Sequence, residues 1–79
     1  MASIEKDPNY MEGKANAERV IDLGIEKTMY ETLDTAVNIK RDMVEQFEET
    51  FQFDRNTGPF DRNYAYNVGM LDAFKNALE

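Results

Sequence analysis

Seven positions in the middle of the chain, Tyr30, Leu33, Val37, Lys40, Val44, Phe47 and Phe51, fall alternately three and four residues apart, and only Lys40 is charged. That spacing returns side chains to one stripe of an α-helix, whereas a strand would need every second residue. Met29, Ala36 and Met43 recur every seven residues beside the stripe and widen it to what a globular helix buries. Thr28-Met29-Tyr30-Glu31 has the form of a capping box, in which the threonine hydroxyl accepts the backbone N–H three residues on and the glutamate reaches back. A helix is therefore expected over residues 28–53, about 39 Å long at 1.5 Å per residue. A helix of that length should be the frame of the fold.

The flanking segments carry their own stops and periods. Asp54-Arg55-Asn56-Thr57-Gly58-Pro59 ends the helix, because Gly-Pro neither continues the period nor supplies an amide donor. Tyr64, Val68, Leu71, Phe74 and Leu78, with Tyr66, Met70, Ala73 and Ala77 beside them, predict a last helix over residues 62–78, apolar on nearly two sides. Gly69 within it suits the close approach of another backbone. Tyr10, Ala17, Val20, Ile21 and Leu23 predict a first helix over residues 9–23, interrupted by Gly13 and stopped at Gly24. Residues 1–8 carry no period and read as a flexible arm, with Pro8 suited to a first helical turn. The tetrapeptide Phe-Asp-Arg-Asn stands at 53–56 and again at 60–63. It reads either as two anchors of one loop, Asp61 capping the last helix, or as a recognition patch of paired arginines and aspartates. The expected fold is all-α: a small helical bundle built on an antiparallel hairpin of the long middle helix and the C-terminal helix, with the shorter N-terminal helix laid over the free end of the long one. Residues 9–79 form one domain in this reading.

At 79 residues a lone core supplies only ~3–5 kcal/mol, and small chains add disulfides, metals, regular helix packing or self-association. Cysteine and histidine are both absent, which removes disulfides, thiolate and imidazole metal sites and thiol redox chemistry together. Packing and self-association are left, so a homodimer is expected. Ile39, Phe53, Tyr66 and Met70 are the apolar residues expected at such a contact. No run approaches the ~18 apolar residues that cross a bilayer, and the N-terminus has no basic-then-apolar leader. The expected location is cytoplasmic, with no membrane partner.

The residues that catalytic constellations need are largely missing. The one serine, Ser3, has no histidine to activate it, and the four glycines are isolated and cradle no phosphate. Glu45-Gln46-Phe47-Glu48 resembles the first carboxylate pair of the all-helical MazG-type nucleotide pyrophosphatases, which would imply a magnesium-dependent activity. The second pair is lacking, because Gly69 stands where a glutamate should precede Asp72. Asp54, Asn56 and Gly58 alternate like the start of an EF-hand loop, but Pro59 and Ala65 occupy positions that need glycine and glutamate. No cofactor, no metal and no enzymatic activity are expected.

Net charge is −7, and residues 28–53 hold six carboxylates against two cations. On the middle helix Asp42, Glu45 and Glu49, with Glu48 at the margin and Asp54 beyond the end, should form an outward negative ridge. Arg41 is placed to pair with Glu45 or Glu48, and the remaining like charges cost a few tenths of a kcal/mol each. Such a surface repels nucleic acid and favours a basic partner. In size, acidity and helical content the chain resembles the small DNA-mimicking, host-takeover proteins of bacteriophages. The resemblance implies an inhibitor that occupies the nucleic-acid-binding surface of a basic protein. Two other readings stay open: an adaptor that binds through its apolar surface, and a structural protein that self-assembles through it.

Overall fold

The computed structural model describes residues 3–79 and is built of three α-helices, α1 (Pro8–Leu23), α2 (Leu33–Phe51) and α3 (Arg62–Leu78). Each begins where a side chain satisfies an orphan amide. Asp7 accepts from the Asn9 N–H at 2.8 Å with Pro8 in the first turn, Thr32 accepts from Thr35 at 3.1 Å, and Asp61 accepts from Tyr64 at 2.9 Å. Gly24 ends α1 at φ +105°, a conformation open to glycine, and its N–H donates to the Ile21 carbonyl.

α2 is shorter than its apolar period suggests. The chain leaves α1 through a short 3-10 turn, Ile25–Lys27, where the Thr28 hydroxyl donates to the Ile25 carbonyl and accepts from the Tyr30 N–H. Thr28 therefore closes one turn rather than opening the next helix. Glu31, expected to complete the capping box, sits at φ 67°, and the cap falls to Thr32. At the other end Gln52 is left-handed, so α2 stops at Phe51.

The helices pack around α3, and α1, expected over the free end of the middle helix, lies on α3 instead and meets α2 at most marginally. Tyr30 lies against Phe74, Lys40 reaches Asn67 and Glu48 meets Tyr64, so α2 runs antiparallel to α3. Tyr10 reaches Asp72 while Asn16 reaches Tyr66, so α1 is antiparallel to α3 as well. The hairpin of the middle and C-terminal helices is as expected, but the central member is α3, with nine of its residues buried against four on α2 and three on α1. Its two-sided apolar surface is spent on two neighbours.

Ile4 is 1% exposed, and its N–H donates to the Arg55 carbonyl at 3.1 Å. Residues 4–7, expected to belong to a flexible arm, are thus docked on the α2–α3 loop. Residues 1 and 2 of that arm lie outside the described residues. Within the loop, Asp54 accepts the Asn56 and Thr57 N–H groups at 2.7 and 2.8 Å. Phe53 and Phe60 pack against the core, and Arg55 turns to Asp72. The repeated tetrapeptide works as two loop anchors.

Candidate functional site

Three of the residues expected on the acidic ridge face solvent together. Asp42, Glu45 and Glu49 are exposed on α2, on the side turned away from α3. Arg41 does not neutralise them: its guanidinium donates to Asn38 at 3.2 Å, and among the described residues the one ion pair is Arg55 with Asp72. At 1.5 Å rise per residue the three carboxylates stand about 4.5 and 6 Å apart along the axis. That is the order of the charge spacing along one strand of duplex DNA, ~3.4 Å of axis per phosphate.

The other two expected contact residues are engaged in the fold. Glu48 is half-buried and accepts the Tyr64 hydroxyl at 2.8 Å. Burial first, then this bond to a carboxylate, pushes the Tyr64 hydroxyl well above the ordinary tyrosine range. Asp54 is exposed, but its carboxylate is held below the usual range, chiefly by the backbone N–H of Asn56. It shapes the loop rather than offering an unpartnered charge.

The apolar contact set divides more sharply. Ile39 is exposed, as expected. Met70 is only 6% exposed and is part of the core. Tyr66 is half-buried, its hydroxyl accepting from Asn16 at 2.7 Å across the α1–α3 interface. Phe53 is half-buried and stacks on Phe51 with ring centroids 5.3 Å apart, close to Phe47 and Tyr64. The second side of α3 is filled by α1, so Tyr66 and Met70 have no surface to lend. The exposed apolar residues of α2 are instead Ile39, Met43 and Phe51. Met43 and Phe51 were assigned to the inner stripe by their spacing. Their steps of four from Ile39, through Phe47, were the available signal for a second face.

Lys40, the one interruption of the seam, is buried, with its ammonium donating to the Asn67 side-chain carbonyl at 2.9 Å. Burial with no carboxylate beside it lowers its pKa. Among the described residues no group of three acidic side chains could hold a metal, and no helix is long and apolar enough to cross a membrane. Comparison with protein-family models, curated proteins and solved structures finds no match.

Proposed function

We propose that this chain is a non-enzymatic protein-binding inhibitor that presents the acidic face of α2 to the nucleic-acid-binding surface of a basic protein and competes there with DNA. The observation that supports this reading is the group Asp42, Glu45 and Glu49, exposed and without an ion-pair partner among the described residues. Like charges at this spacing oppose the helix that carries them, and a basic partner removes that penalty while releasing the partner from DNA. Glu48 and Asp54, serving the fold, belong to the margin of the contact. A homodimer would carry two such faces and lengthen the line of charge. The half-formed carboxylate pair at Glu45 and Glu48 supports no hydrolytic reading, since Glu48 is held by Tyr64 and Gly69 leaves the second pair unbuilt.

Capture from cytoplasm at low salt, followed by mass spectrometry and by competition with duplex DNA, tests the proposal. The captured protein should be basic, should be released by raised salt and by DNA, and should be lost with the triple variant Asp42→Asn, Glu45→Gln, Glu49→Gln while its helical circular dichroism is unchanged. A neutral partner that resists salt would replace this reading with an apolar adaptor.

A further inference from the structure

α2 packs against α3 and meets α1 at most marginally. On its flank stands a four-residue row, Ile39, Met43, Phe47 and Phe51, with Ile39 39%, Met43 38% and Phe51 58% exposed and Phe47 half-buried. Such i, i+4 rows are the ridges by which helices pack on one another. Next to the row lies a hollow of about 460 Å³ lined by Asp42, Met43, Gln46, Phe47, Thr50 and Phe51.

We propose that this row is the surface through which two copies of the chain associate, with their α2 helices antiparallel across a two-fold axis. The row increases in bulk from Ile39 to Phe51, and antiparallel pairing sets Ile39 of one copy against Phe51 of the other and Met43 against Phe47. A two-fold axis repeats each of these contacts. The neighbouring row is Asp42, Gln46 and Thr50. In the same pairing Asp42 comes within about 3 Å of axial level with a threonine hydroxyl that can donate to it, and Gln46 as close to its own copy. A parallel pairing would instead set Asp42 against Asp42 and Phe51 against Phe51.

Charge selects the occupant. The hollow carries one carboxylate and no cation among its lining residues, and the rest of its lining is uncharged, so an acidic segment would meet Asp42 and an apolar surface matches most of it. A nearly neutral apolar surface fits, and the chain's own row is one. At about 100° per residue, Glu45 and Glu49 lie roughly 140° or more round the helix from the middle of the row, while Asp42 stands at the edge of the contact. Pairing therefore leaves Glu45 and Glu49 outward on both copies, and the dimer does not rest on the function proposed above.

Sedimentation at tens of micromolar should give twice the mass of one chain. Met43→Glu, which puts a charge in the middle of a row that is already partly exposed, should return the mass to one chain with helical circular dichroism unchanged. Because the chain has no cysteine, single cysteines report the geometry directly. Gln46→Cys, close to the axis, should link two copies on oxidation, and Thr35→Cys, at the far end of the same flank, should not. A single-chain mass at every concentration, a dimer indifferent to Met43→Glu, or linking at position 35 in preference to 46 would each overturn the proposal.

Discussion

Gly13 and Gly69 decide how near α1 comes to α3. A glycine inside a helix ordinarily costs about 1 kcal/mol relative to alanine. Here a Cβ on Gly13 would overlap the Tyr66 carbonyl oxygen, and one on Gly69 would overlap the Tyr10 carbonyl oxygen. Both obstacles are backbone and cannot swing aside as a side-chain end would. Gly69→Ala should therefore cost about 2 kcal/mol or more of stability after its gain in helix propensity, in line with overpacked cores, and so lower the urea midpoint. An unchanged midpoint would mean that the helices can separate without loss. The role of Gly69 was legible in the sequence, because it interrupts an otherwise apolar helix. That of Gly13 was not: its neighbour is a carbonyl 53 residues away along the chain, and a backbone group leaves no trace in residue type.

At the level of elements, the existence and class of the three helices followed from periodicity, and the stops at Gly24 and before Gly58 followed from turn chemistry. The start of α2 did not. Two threonines, Thr28 and Thr32, stand one turn apart, and the glutamate favoured the wrong one. The choice was made by the 3-10 turn after Gly24, which uses Thr28 to close itself. Lys40 was visible as the single break in the seam, while its partner Asn67 was hidden among polar residues of a different helix. The pair sits between α2 and α3 and opposes slippage of one along the other, because a shifted register would strand a buried ammonium. That function comes at a cost in stability. The double variant Lys40→Met, Asn67→Leu should be more stable than the natural chain by ~1–4 kcal/mol in denaturant titrations, as for other buried polar pairs replaced by apolar ones. Lys40→Met alone should gain less, since it strands the Asn67 carbonyl at a cost of about 1–3 kcal/mol. If the single variant matches or exceeds the double, the Asn67 contact has no role.

For the whole molecule, Asp72 is the point where separate parts of the chain are tied. Its carboxylate accepts two bonds from Arg55 at 2.8 and 3.0 Å and one from Tyr10 at 2.7 Å, and the Arg55 carbonyl holds the buried Ile4 turn. One side chain thus joins the N-terminal turn, α1, the loop and α3. Burial opposes its ionisation, but the Arg55 and Tyr10 bonds outweigh burial and hold its carboxyl below the usual value of 3.8. A folded-state pKa below the unfolded one contributes stability that is complete above about 3.8 and is lost as pH falls through the lower, folded value. Asp72→Asn should cost about 2 kcal/mol at neutral pH, as expected for charge-assisted bonds partly open to water, and should flatten the acid limb of thermal melts followed by circular dichroism. An acid limb as steep as the natural chain's would remove Asp72 from that role. The central position of α3 has a further consequence for cooperativity. With almost no direct contact between α1 and α2, the two outer helices are energetically coupled chiefly through the one between them. A disturbance within α1 reaches the acidic face chiefly by way of α3, whereas fraying of the N-terminal turn is felt at the α2–α3 loop, where Ile4 donates to the Arg55 carbonyl.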